Sequence, residues 1–184
     1  MAKFGGMTGY ADIVSTANGP FKVLVEDADG MIGKISLAEL ASVKTITATD
    51  SITEAEHAGR VNLLGEVGGN ALVTLTLPAA TGSGNRYTFV VSVVNTSNYV
   101  IQANTTGVTF EGVAWVTQDG GDTSVAFESG ASDDTITLNG TTTGGAAIGD
   151  KLEFIDIGSG LWCVHAFLTA SGIEATPFSN AVTT

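Results

Sequence analysis

The chain reads as an all-β protein: an antiparallel β-sandwich or jelly-roll body preceded by an extended N-terminal arm that carries a short hairpin and one short helix. Three observations predict this. Charged residues make up 14% of the 184 positions, against about 25% in an average soluble domain. Glycine occupies 24 positions and proline only 3, a supply of turn residues with no collagen-like period. From residue 45 onward the sequence is a series of short β-branched runs separated by Gly-rich turns, the pattern of a sandwich or barrel.

The elements follow in order. Residues 1–20 show neither a helical nor a strand period and read as extended. Residues 21–26 read as a strand, Asp27-Ala28-Asp29-Gly30 as a turn and 31–35 as the returning strand of a hairpin. Ser36 with Glu39 three positions later is a capping-box pattern, which starts one short helix over 37–43. That helix is so short that tertiary contacts must hold it.

In the body, strands are expected over 45–49, 60–64, 71–77, 86–94, 99–103, 108–111, 114–117, 124–128, 135–138, 151–157 and 161–168. Alternation over 72–77 sets Val73, Leu75 and Leu77 opposite Thr74 and Thr76. The run 88–94 is apolar on both faces, as a central or interface strand is. Over 151–157, Leu152, Phe154 and Asp156 oppose Glu153, Ile155 and Ile157, so the faces separate less cleanly. Gly82-Ser83-Gly84 and Gly158-Ser159-Gly160 read as flexible turns. No repeat of 20–50 residues is evident, which argues against a propeller or solenoid.

Charge divides the chain at the same place as texture. Residues 1–44 hold four cations and five carboxylates, a net of −1; residues 45–184 hold three and fourteen, a net of −11. The arm is therefore residues 1–44 and the body 45–184. With 7 basic against 19 acidic residues, the chain repels phosphate and is not expected to bind nucleic acid. No apolar run approaches the roughly 20 residues of a membrane span, and the first ten residues hold no signal-peptide core. These readings predict no membrane partner and synthesis in a cytoplasm. The single Cys163 excludes a disulfide scaffold.

Chemistry is sparse. His57, Cys163 and His165 cannot supply a structural zinc set. Cys163 and His165 share a strand face without an orienting third residue, which reads as packing or an exposed rim. Asp27-Ala28-Asp29-Gly30 is out of register with a calcium loop and reads as a turn. Asp119, Asp122, Asp133 and Asp134 read as solvated turn acids, and Glu54, Glu56, His57 and Arg60 as a charged turn. Neither a Gly-x-Ser-x-Gly elbow nor a phosphate-cradling loop occurs. The expectation is no catalytic residue, no metal, no cofactor and no enzyme activity. Phe89, Phe110, Trp115, Phe127, Phe154, Trp162 and Phe167 lie in strand runs and read as core. Two or three of them exposed on one face would instead make a carbohydrate platform. In the arm, Phe4, Tyr10 and Phe21 read equally as contacts to another subunit or as packing on their own domain.

The phrases 75–90 (LTLPAATGSGNRYTFV), 134–142 (DTITLNGTT) and the ending from Leu161-Trp162 through Phe167-Leu168-Thr169 to 172–178 (GIEATPF) resemble virion structural proteins of tailed bacteriophages, chiefly capsid decoration (cement) and fibre proteins. The resemblance covers roughly residues 70–180 and leaves the arm outside. It implies a β-sandwich or jelly-roll homotrimer on the outer capsid surface, bound to the major capsid protein and without a cofactor. On that reading the arm makes much of the shell contact, with Phe4, Tyr10 and Phe21 as its candidate residues. The rival readings are a head-fibre or tail receptor-binding protein, a carbohydrate-binding adhesion module, and an enzyme with clustered acids in a cleft.

Overall fold

The computed structural model of the chain describes residues 22–26, 32–36, 43–66, 72–94, 96–121 and 123–183. The chain divides into two compact units, Met1–Ala41 and Ser42–Thr184. In the first unit, β1 (Lys22–Glu26) pairs antiparallel with β2 (Ile32–Ser36), from Lys22 opposite Ser36 to Glu26 opposite Ile32. This is the expected hairpin pairing. The helix expected over 37–43 lies outside the described residues except for Val43, and so does the whole of 1–20.

The second unit is all-β, with a single turn of helix among its described residues. In chain order it contains β3 (Lys44–Ile46), β4 (Asp50–Ser51), α1 (Glu54–His57), β5 (Val61–Leu64), β6 (Val73–Thr76), β7 (Arg86–Val91) and β8 (Tyr99–Gln102). It continues with β9 (Thr109–Gln118), β10 (Ser124–Glu128), β11 (Thr135–Leu138), β12 (Lys151–Gly158), β13 (Leu161–Ala170) and β14 (Phe178–Ser179). One sheet has seven strands in the order β10-β9-β13-β12-β7-β5-β3; the other has five, β14-β11-β8-β6-β4.

The expected antiparallel arrangement is not what forms: both sheets are mixed. β3 with β5, β5 with β7, and β9 with β13 run parallel, as do β4 with β6 and β6 with β8. The cause is the route of the chain. From β3 to β8, successive strands alternate between the two sheets. A strand therefore meets its sheet neighbour only after a strand of the other sheet has intervened, and returns in the same direction. Where consecutive strands stay in one sheet, as in β9–β10 and β12–β13, the pairing is antiparallel.

Local sequence explains the elements. In β6 Val73 and Leu75 are buried between half-buried threonines, and in β7 Tyr87, Phe89 and Val91 alternate with Thr88 and Val90. The two runs expected at 108–111 and 114–117 form one ten-residue strand, β9. Gly112, between the two expected runs, lies opposite Val164 at a place where a β-carbon would collide with the Val164 carbonyl oxygen. The glycine is there for close approach.

One hydrophobic cluster draws on both sheets: Leu75, Tyr99 and Ile101 from the smaller, Phe89, Phe154 and Trp162 from the larger. Its aromatics meet edge to face, Phe110 with Phe154 at 5.3 Å and Tyr87 with Trp162 at 5.6 Å between ring centres, the arrangement their quadrupoles favour. The Tyr99 hydroxyl accepts from the Glu66 N–H and donates to the Val93 carbonyl, tying β8 to the segments after β5 and β7.

Candidate interaction surface

Pairing registers place side chains on the outer face of the seven-stranded sheet in rows. One row runs Ala126, Trp115, Phe167, Lys151, Val90, Leu63 from β10 across to β5. The next runs Glu128, Val113, His165, Glu153, Thr88, Val61, and a third Glu111, Cys163, Ile155, Arg86. The first row is apolar except for Lys151, although it points away from the core, and the other two rows mix apolar with polar and charged side chains. Phe167 is 62% exposed and Trp115 49%, directly opposite each other on β13 and β9.

Both were expected in the core, and for both that expectation fails. The neighbouring inward positions on the same strands are taken by Ala114, Val116, Ala166 and Leu168, all buried, so alternation turns Trp115 and Phe167 outward. Phe89, Phe110, Phe154 and Trp162 are fully buried as expected, and Phe127 is partly buried.

Beside the aromatic pair a groove of about 320 Å³ is walled by the 147–150 loop. That loop holds Ile148 71% exposed. It is braced from below: the Gly145 and Thr169 N–H groups both donate to Asp150 Oδ2 at 2.8 Å, and the Gly149 N–H donates to the Val91 carbonyl. Burial pushes the Asp150 carboxyl up, against the pull of those N–H donors.

Two other carboxylates are structural. Asp156 points inward, 2% exposed, and accepts from the N–H groups of Thr81, Gly82 and Ser83 and the hydroxyls of Thr81 and Ser83, at 2.6 to 3.1 Å. Burial alone would raise its carboxyl. The Ser83 hydroxyl and the N–H groups of 81–83 instead hold it well below the usual carboxylate range. The turns expected to be flexible are therefore tied, also by a bridge between Thr81 and Ser159. Asp134, expected as a solvated acid, is buried and accepts from the Ala181 and Val182 N–H groups, anchoring the C-terminal segment.

Of the expected charged turn at 54–60, residues 54–57 form helix α1 and 58–60 remain a turn. Thr53 caps it, its hydroxyl accepting from the Glu56 N–H. His57 is 1% exposed, its Nδ1 accepting from the Thr53 N–H at 3.0 Å. Thr53 and Glu56 form a capping-box spacing that the sequence displays plainly.

Cys163 and His165 do share the outer face, with Sγ 4.0 Å from Nε2. Among the described residues no group of three or more His, Cys, Asp or Glu is placed to hold a metal ion. No helix among the described residues is long and apolar enough to cross a membrane. Phe4, Tyr10 and Phe21, the candidate shell contacts, lie outside the described residues. No family model matches the chain, and no curated protein matches it.

Proposed function

We propose that this chain is a structural virion protein that binds the outside of a tailed-phage capsid, on the major capsid protein, as a homotrimer that stabilises the shell. The observation that carries this reading is the agreement of two boundaries. The chain divides into compact units between residues 41 and 42, and its charge divides after residue 44, −1 before and −11 beyond. A decorating protein needs a segment that engages the shell and a stiff body that stays outside it. A near-neutral leading segment on a strongly acidic body suits that division of labour, and trimeric presentation multiplies weak contacts. In this reading the two sheets pack face to face as a mixed-sheet β-sandwich, supported by the single cluster to which both contribute.

Removal of residues 1–20 is expected to abolish binding to capsids while the oligomer persists, measured by cosedimentation with particles. Undiminished occupancy of the capsid ends this reading. At least one of Phe4, Tyr10 and Phe21 is expected to become buried only on the particle.

A second reading, binding of a neutral saccharide, is favoured by one observation: Trp115 and Phe167 are exposed side by side beside a groove. Binding of the purified chain on a glycan array, lost in Trp115→Ala, supports it over the first.

A further inference from the structure

We infer that the outer face of the seven-stranded sheet is the surface through which copies of this chain associate. The inference deepens the oligomeric part of the proposed function and rests on that reading for the number of copies.

Size comes first. Six interstrand gaps of about 4.8 Å make the face about 29 Å across, and its longest strands run about 30 Å. That is on the order of the ~800 Å² that each partner contributes to a stable interface. Composition comes second. The row Ala126, Trp115, Phe167, Lys151, Val90, Leu63 is apolar except for Lys151, with Ile148 beside its aromatic pair, while the adjoining row brings His165 and Glu153. An aromatic and aliphatic strip bordered by a few charges is the make-up of an interface core and its rim.

Charge selects the occupant. The face carries two cations, Arg86 and Lys151, and three carboxylates, Glu111, Glu128 and Glu153, a net of −1. Arg86 lies 3.6 Å from Glu153. The remainder of residues 45–184 carries one cation and eleven carboxylates, a net of −10. A basic partner gains most from the other surfaces. A second acidic copy is repelled by them and can approach closely only where the charge is nearly balanced and the surface is apolar. Around a threefold axis the same sheet face of each neighbouring copy meets both conditions, one part of the face against a different part of the next. The braced 147–150 loop keeps its rim in shape before contact, which lowers the ordering cost of association.

The test uses the purified full chain, without capsids. Its mass is measured by light scattering, and alkylation of Cys163, the single cysteine and a member of this face, is followed with N-ethylmaleimide. The expected result is a multimer with Cys163 shielded. Phe167→Glu, at a position already 62% exposed, is expected to give a monomer whose Cys163 reacts at least about tenfold faster. Trp115→Lys provides the same test should Phe167→Glu fail to fold. A wild-type monomer, a multimer unaffected by both substitutions, or equal alkylation of Cys163 in multimer and variant overturns the inference. So does glycan binding by a monomeric wild-type chain. A multimer that ignores capsids refutes the decorating role and leaves the interface standing; a monomer that binds capsids does the reverse.

Discussion

Asp156, near the end of β12, and Asp150, just before its start, are both buried carboxylates, yet they should respond oppositely to the same substitution. Asp156 uses both oxygens: Oδ1 accepts from the Gly82 N–H, and Oδ2 from the N–H and hydroxyl groups of Thr81 and Ser83. In Asp156→Asn one of those oxygens becomes an NH₂ that faces donors, so a loss of about 2–4 kcal/mol is expected in urea denaturation at neutral pH. The folded-state pKa of Asp156 is depressed, so its contribution is complete above the unfolded value of about 3.9 and is lost only as the pH falls through the lower folded value. Asp150 accepts from the Gly145 and Thr169 N–H groups on Oδ2, and the Thr169 hydroxyl and the Ala147 N–H also favour its charged form. Its folded pKa is raised by burial, which penalises the charged form at neutral pH. Asp150→Asn keeps an acceptor at that position and removes the penalty, so it is expected to be neutral or stabilising. Comparable losses in both variants would contradict this assignment. At Gly112 the constraint is space: a β-carbon there collides with the Val164 carbonyl oxygen and forces β9 off β13, and Gly112→Ala is expected to cost about 3 kcal/mol. Gly107, where a β-carbon would meet nothing within 4 Å among the described residues, is the control, where only the positive φ of 82° costs an alanine about 1 kcal/mol.

At the level of elements, α1 is a single turn that depends on a neutral histidine. Nδ1 of His57 accepts from the Thr53 N–H, so the ring proton sits on Nε2, which is buried without a hydrogen-bond partner among the described residues and 3.9 Å from Asp50 Oδ2 on β4. Burial depresses the imidazole pKa; the carboxylates of Asp50 and Glu56 oppose this, and Lys44 on β3 adds to it. A base with a lowered folded pKa loses stability as the pH falls below its unfolded value of about 6.5, until the folded value is passed. Wild type is therefore expected to lose more urea resistance between about pH 7.5 and 5 than His57→Gln, and equal pH slopes would rule the mechanism out. This element also shows what reading residues in order missed. Thr53 and Glu56 carried a usable capping signal, but the acids and the histidine beside it looked like a solvated turn. The charges that face His57, Asp50 on β4 and Lys44 on β3, come from strands of different sheets. Strand positions were more legible, because burial against one core imposes alternation on each run separately. The gap expected between 111 and 114 failed for the opposite reason: what makes residue 112 a glycine is Val164, fifty-two positions away in the sequence.

At the scale of the whole molecule, the all-β class was legible and the parallel pairings were not, because the direction of a strand depends on which sheet its predecessor joined. The outward turn of Trp115 and Phe167 was hidden for a related reason: alternation defines two faces but does not say which one meets the core. Charge was legible throughout, and it carries a consequence for assembly. Each copy bears a formal −12, while the proposed contact face bears only −1. Repulsion between copies therefore comes chiefly from carboxylates outside the contact, across distances that salt can screen. Raising ionic strength from about 0.01 M to 0.15 M shortens the Debye length from about 30 Å to about 8 Å. Apolar contact is little affected over that range, so self-association should tighten as salt is added. Sedimentation equilibrium at the two ionic strengths reads this directly. Association held by ion pairs across the interface would weaken instead, and that outcome would move the contact to a different surface of the molecule.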